Sequence, residues 1–184
     1  EHAFFNVTID GYDEQIVEGE EFQVNYTVTN TGGIEDTQDI KFEVYSQDSG
    51  DPIIGSSKID PDVTLGPGDS KNGNFTWSSD IDDAGDYYFK IWSQNKTEER
   101  NFVVLDKYNL TIEAPKGKGN VSVDGNIITS YPYEHTFVEG DIVELQAVAD
   151  KGYHFVEWTG DNGTINDKKA NKTTIEMLDN YTII

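Results

Sequence analysis

The chain has 184 residues, no cysteine, and 13 basic against 35 acidic residues, for a formal charge of −22. This balance excludes a general role on nucleic acid or an anionic membrane, because phosphate recognition needs clustered Lys and Arg. The lack of cysteine excludes disulfides, thiolate metal sites and a thiol nucleophile. There is no apolar run of the roughly 18 residues that a spanning helix needs, so no direct membrane insertion is expected of this segment, which reads as mature or trimmed.

In chain order, Ala3 to Ile9 predicts a strand with Phe5, Val7 and Ile9 on one face, followed by a turn-rich stretch from Asp10 to Glu14. Val17-Glu18-Gly19-Glu20 is a turn that leads into Phe22, Val24, Tyr26 and Val28, whose alternation with polar residues is that of a half-buried strand. Asn30-Thr31-Gly32-Gly33 stops it. Ile40, Phe42 and Val44 alternate next, Val63 to Leu65 forms a short strand before Gly66-Pro67-Gly68, and Phe75 with Trp77 marks another. In Gly85 to Trp92, Tyr87, Phe89 and Ile91 share one face and Tyr88, Lys90 and Trp92 the other. A last strand runs from Asn101 to Leu105. About seven short strands at turn spacings near a dozen residues, with no helical period, predict an all-β, immunoglobulin-like seven-stranded sandwich over residues 1–106.

Asp106 and Lys107 read as a very short linker into a second small β-rich domain, β-grasp-like or a repeat, over residues 107–184. Leu110 and Ile112 open it, and Asp124-Gly125 between apolar runs is a hairpin cue. Val138-Glu139-Gly140-Asp141 repeats the turn phrase at Val17 and leads into Val143, Leu145, Ala147 and Ala149. Lys151 to Trp158 predicts a turn and strand, Ile175 and Met177 follow a polar loop, and Ile183 begins a strand expected to be cut short by the end of the segment.

The first half resembles the CARDB family of cell-adhesion-related sandwich domains of archaeal and bacterial surface proteins. The resemblance is carried by Phe5-Asn6-Val7-Thr8-Ile9, Val17-Glu18-Gly19-Glu20, Val28-Thr29-Asn30-Thr31-Gly32, Leu65-Gly66-Pro67-Gly68-Asp69 and Ala84-Gly85-Asp86-Tyr87. The second half is similar to the divergent internalin B-type repeat, through Val138-Glu139-Gly140-Asp141, Gly152-Tyr153-His154-Phe155-Val156-Glu157-Trp158 and Gly160. Both resemblances imply non-catalytic extracellular β modules found in adhesins, surface-layer proteins and large secreted enzymes.

The strongest compositional signal is N-x-[ST]. It occurs at Asn6, Asn25, Asn74, Asn95, Asn109, Asn120, Asn162, Asn171 and Asn180, nine of fourteen asparagines, against about two expected from ordinary Ser and Thr usage. These are candidate N-glycosylation sites of a cell-surface glycoprotein; the plainer source of such triplets is that Asn favours turns and Thr favours strands. Tyr87, just inside a late strand after a polar turn, is a candidate tyrosine corner. Tyr88 and Trp92 are candidates for stacking on sugar rings, while Trp77 and Trp158 alternate with core positions. Asp80, Asp82 and Asp83, with Asp60 and Asp62 elsewhere, offer hard oxygens for Ca²⁺ but lack EF-hand spacing, and clustered acids are commonly just solvated. His2, His135 and His154 lack metal-ligand spacing, so no other metal and no obligatory cofactor is expected. No nucleophile motif or phosphate loop occurs, so no catalytic residue is expected.

The reading that follows is a structural or adhesive module, of surface-layer or adhesin type. A single arginine, Arg100, among the basic residues favours an archaeal source such as a methanogen over an extreme halophile. Expected partners are other copies, other surface proteins or glycans. Two alternatives remain open: an ancillary carbohydrate-binding module of a secreted hydrolase, and a filament subunit that completes unpaired edge strands from neighbouring copies.

Overall fold

The computed structural model describes residues 2–80 and 83–184, and every regular element among them is a strand. The chain divides into two compact units, 1–105 and 106–184. Asp106 falls in the second unit, where its backbone N–H donates to Glu139 Oε2 and its carboxylate accepts the Tyr108 hydroxyl.

The first unit contains Phe5–Tyr12 (β1), Gln15–Val17 (β2), Glu21–Asn30 (β3), Asp36–Ser46 (β4), Lys58–Leu65 (β5), Ser70–Ser78 (β6), Gly85–Trp92 (β7) and Thr97–Leu105 (β8). They form a three-stranded sheet, β1-β3-β6, and a five-stranded sheet, β2-β8-β7-β4-β5. This is an immunoglobulin-like sandwich with eight strands where seven are expected. The additional strand comes from the stretch expected to be turn-rich. β1 continues past a bulge between Ile9 and Gly11 as far as Tyr12. Asp13 N–H still bonds Gln23 in the first sheet, while Glu14 C=O already accepts from Val103 in the second. β2 then runs parallel to β8 and buries Ile16 beside the core.

Alternation decides the packing. Phe22, Val24, Tyr26 and Val28 of β3 and Phe75 and Trp77 of β6 face Ile40, Phe42, Val44, Phe89, Ile91, Phe102 and Val104 across the interior. The Phe22 ring lies 4.2 Å from Phe102 and 5.2 Å from Phe89, and Phe75 bridges Tyr26 at 5.0 Å and Phe42 at 5.3 Å. Burying each such ring stabilises the fold by about 1.5–3 kcal/mol, with offset ring contacts adding to that.

One end of the sandwich is closed by a polar residue. Asn30 is fully buried at the end of β3. Its amide nitrogen donates to Ile34 C=O at 2.7 Å and Leu65 C=O at 2.9 Å. Its amide oxygen accepts from Phe4 N–H at 3.1 Å and Gly32 N–H at 3.0 Å. The backbone N–H donates to Asp69 C=O, and the carbonyl accepts from Gly68 N–H. All four hydrogen-bonding capacities of the side-chain amide are used. The Asn30-Thr31-Gly32 and Leu65-Gly66-Pro67-Gly68-Asp69 phrases, distant in sequence, therefore meet at this residue. Gly32 is required because a Cβ there would lie 2.6 Å from Ala3 Cα.

The second unit contains Lys107–Ile112 (β9), Gly119–Val123 (β10), Asn126–Ile127 (β11), Tyr133–Val138 (β12), Ile142–Ala149 (β13), Lys172–Glu176 (β14) and Tyr181–Ile183 (β15). One sheet is β11-β10-β13-β14 and the other is β12-β9-β15. Lys107 opens β9 and is not linker. Asp124 (φ 47°) and Gly125 (φ 77°) make the tight turn of the β10–β11 hairpin, where two positive φ values are what the strand twist requires.

Two features depart from the sequence reading. β12, which has no clean apolar alternation, is recruited by pairing along the whole of β9. Lys151 to Trp158 forms no strand. It is an extended segment anchored by Trp158, which is buried, donates from Nε1 to Ala170 C=O at 2.9 Å and from its backbone to Lys168 C=O. The short β15 pairs in parallel with β9 from Tyr181 to Ile183 and buries Ile183.

Replacing Asn30 with Ala is expected to destabilise the protein by about 3 kcal/mol or more, since each buried polar group left without a partner costs roughly 1–3 kcal/mol. Urea unfolding of the full chain measures this; a loss below that of an exposed Asn72→Ala control would contradict the role of Asn30.

Candidate functional site

The outer faces of the first sandwich differ in chemistry. On the five-stranded sheet, burial of Phe42, Val44, Phe89 and Ile91 turns their neighbours outward in register: Lys41 opposite Trp92, Glu43 opposite Lys90, and Tyr45 opposite Tyr88. β8 extends the rows with Thr97, Glu99 and Asn101. The Tyr45 and Tyr88 rings stack at 5.0 Å with an interplanar angle of 8°. Lys90 Nζ sits 4.9 Å from the Tyr45 ring centre and 5.3 Å from that of Tyr88, and 3.6 Å from Glu99 Oε2. A cation over ring faces is held by the ring quadrupole. The Tyr45 hydroxyl donates to Glu43 Oε2 at 2.7 Å. Burial, then this carboxylate acceptor, push the phenol up to about 12.

Tyr45 was not legible as a site residue in the sequence, because it meets Tyr88 only through strand register. Its presence changes the sugar-stacking candidates. Tyr88 turns its ring face to Tyr45 and Lys90, and Trp92 is half-buried beside a polar hollow of about 320 Å³ lined by Gln38, Asp39, Lys41, Asp62 and Gln94. Tyr88 thus already stacks on a neighbouring ring, while Trp92 lines the polar hollow.

On the three-stranded sheet the outward positions are almost all Asn, Thr, Ser and Gln. Thr27 Oγ1 donates to Asp10 Oδ2 at 2.6 Å, and Thr29 pairs with Ser70 at 2.7 Å. Asn6 of β1, Asn25 of β3 and Asn74 of β6 are outward on this sheet, with Asn25 directly opposite Asn74. No strand of the five-stranded sheet carries a sequon asparagine, although Asn95 stands in the turn between its β7 and β8 and Thr97 of that sequon opens β8. Asn95, in the turn after β7, accepts from Phe5 N–H and Gln38 Nε2, both at 3.0 Å. In the second unit Asn109, Asn120, Asn171 and Asn180 are exposed, whereas Asn162 is half-buried and donates from Nδ2 to Trp158 C=O at 2.9 Å.

The Tyr87 hydroxyl donates to the Asp83 carbonyl at 2.6 Å, across the turn that opens β7. Its ring lies between Trp77 and Phe102. Burial, then the nearby Asp83 and Asp48 carboxylates, raise its pKa. Of the candidate calcium ligands, Asp83 Oδ2 accepts from Asp80 N–H at 2.6 Å and so caps its own turn; Asp82 lies outside the described residues. Asp60 is engaged elsewhere, accepting from Lys71 Nζ and from the buried Tyr26 hydroxyl, each at 2.7 Å. Asp62 is held at φ 53° with its N–H on Asp39. Among the described residues no three His, Asp or Glu converge to hold a metal ion. His2, His135 and His154 are exposed, and His135 stacks between Tyr133 and Phe137.

The second unit has a mostly apolar cleft of about 400 Å³ between Val121, Ala147 and Ala149 on one side and Phe155 and Trp158 on the other, with Lys118 at its rim. Its walls come from strands and an irregular segment that only the fold brings together.

Compared with known proteins, residues 5–104 match the family model described as CARDB, and residues 108–184 match that of the divergent InlB B-repeat domain. No curated protein matches. Among solved structures, a β-glucosidase from Listeria innocua is similar at 14% identity and a TM-score of 0.45, over 56% of this chain and 16% of that one. A cycloisomaltooligosaccharide glucanotransferase from Paenibacillus is similar at 20% identity and a TM-score of 0.45, over 56% of this chain and 14% of that one. The CARDB domain of a Pyrococcus furiosus protein, in complex with di-metal ions, is similar at 16% identity and a TM-score of 0.42, over 56% of this chain and 96% of that one. The chain thus spans only a small part of the two enzymes.

Two outcomes follow from this geometry. Tyr87→Phe should lower stability by about 1 kcal/mol, the usual net value of a hydrogen bond to a partly buried acceptor; an unchanged urea midpoint would mean that the corner contributes nothing. Burial opposes ionisation of Asp60, but the bonds from Lys71 and Tyr26 outweigh it and hold the carboxyl below its ordinary range. A group with a depressed folded-state pKa stabilises above its unfolded pKa, and the contribution is lost as pH falls through the folded value. Stability should therefore fall less steeply for Asp60→Asn than for the parent between pH 5 and pH 2, as read from urea midpoints; identical acid limbs would remove Asp60 from the account.

Proposed function

The chain belongs to the CARDB family, and from that premise we propose that it is a non-catalytic adhesive or structural module of a secreted or cell-surface glycoprotein, of adhesin or surface-layer type and archaeal or bacterial origin. CARDB and InlB-repeat domains are β modules of the kind found in adhesion-related and surface proteins. The observation that carries the proposal is the division of the first sandwich. Asn6, Asn25 and Asn74 all lie outward on the three-stranded sheet, while the strands of the five-stranded sheet carry no sequon asparagine and turn the half-buried Tyr45, Tyr88 and Lys90 outward.

Glycans on the first face would be solvated and inert, leaving the second face bare for another copy or another surface protein. Tyrosine rings are among the groups enriched where protein surfaces meet. Elsewhere the charge of −22 resists unspecific association. The sugar-binding alternative would use the ring face of Tyr88 that its stack with Tyr45 leaves open, together with Trp92. For the filament alternative, β1 pairs with β3 and β15 with β9 on one side each, and both stand at the edge of their sheets, so each keeps one edge that a neighbouring copy could complete.

The test compares Tyr88→Arg with Ser78→Arg, one on each outer face, in the full chain after equal melting temperatures have been established. Retention on cells of the source organism is expected to fall for Tyr88→Arg and to persist for Ser78→Arg. Equal retention of both would overturn the assignment of the contact face.

A further inference from the structure

The folded chain does not treat its nine sequons alike. Asn25 and Asn74 are direct cross-strand partners on the outer face of the three-stranded sheet, and both are exposed. Side chains so placed have Cβ atoms about 4.5–5.5 Å apart. A second pair arises in the other unit, where β15 runs parallel to β9 with Tyr181 beside Leu110 and Thr182 beside Thr111. The preceding residues are both sequon asparagines, and Asn180 Oδ1 accepts the Asn109 backbone N–H at 2.7 Å. Asn109 is further held by the Thr136 hydroxyl on its Oδ1 at 2.7 Å.

Asn162 is a different case. The nitrogen that would carry a sugar donates to the Trp158 carbonyl at 2.9 Å, beside the buried ring that anchors the irregular segment. The hydroxyl of its own sequon threonine, Thr164 Oγ1, is buried without a partner. A transferase needs both the amide nitrogen and that hydroxyl free, and here the nitrogen is engaged and the hydroxyl is buried.

Resting on the glycoprotein reading above, we infer that Asn25/Asn74 and Asn109/Asn180 are mutually exclusive modification sites and that Asn162 is a closed one. The first sugar attached at either member of a pair stands over its neighbour, blocks approach of a second acceptor complex and occupies the space a second glycan would need. Asn6, Asn95, Asn120 and Asn171 have no sequon asparagine as a cross-strand partner. With one sequon closed and one lost from each pair, the nine sequons support at most six glycans on one molecule.

The test is intact-mass and site-resolved mass spectrometry of the full chain isolated from its source, together with Asn25→Gln and Asn180→Gln variants expressed in the same cells. The expected result is no molecule with more than six glycans and none on Asn162. Asn25→Gln should shift occupancy to Asn74, and Asn180→Gln should shift it to Asn109, without lowering the total. A glycopeptide pair from one molecule with sugars on both Asn25 and Asn74, or on both Asn109 and Asn180, or any sugar on Asn162, would overturn the inference while leaving the glycoprotein reading intact. No glycan on any of the nine would overturn both.

Discussion

The first sandwich depends on one buried amide. Its hydrophobic interior explains why two sheets face each other, but it does not explain how the open end is closed, where several backbone groups lie near the core without ladder partners. Asn30 closes it by satisfying Phe4, Gly32, Ile34 and Leu65 together. Buried backbone groups must be paired, and a side-chain amide is the one neutral group that offers two donors and two acceptors at once. An aspartate in this place could not donate, and an apolar residue would leave four groups unpaired. The turn glycines around it follow from that arrangement, because the chain passes Gly32 too closely to admit a Cβ.

With the interior closed in this way, each sheet has one outer face and alternation decides what stands on it. The same ladders that bury Phe42 and Phe89 turn Tyr45 and Tyr88 outward, and those that bury Val24 and Phe75 turn Asn25 and Asn74 outward. The division of the sandwich into a sequon face and an aromatic face is thus a consequence of core packing. Tyr26 links the two sheets from the inside. Its hydroxyl reaches Asp60, which also holds Lys71, so a buried phenol and a surface ion pair share one carboxylate. Gly73 lies beside that ring because any Cβ there would meet the hydroxyl at 2.5 Å.

The second unit reaches a closed core with less regular structure. Trp158, a residue outside any strand, fills the space between its two sheets together with Leu110, Leu145, Ile175 and Met177. Its Nε1 and backbone N–H find carbonyl partners in Ala170 and Lys168, so a loop anchored at one large ring substitutes for a strand. The local pattern of Tyr153 to Trp158 alternates as a strand would, but Val156 is 67% exposed and the segment has no ladder neighbour. Alternation alone does not make a strand where the segment pairs with no edge.

The all-β class, the two-domain division, most strands of the first sandwich and most core residues were determined by the sequence itself, because period-two alternation and turn chemistry are local properties carried by neighbouring residues. Tyr87 was legible for the same reason: its corner spans four residues. Which residues stand beside one another was decided only by the tertiary structure. The Tyr45–Tyr88 stack, the closure at Asn30, the recruitment of β12 and the pairing of Asn25 with Asn74 all join positions far apart in the chain. Register between strands is set by the packing of whole faces, and no single stretch of sequence contains it.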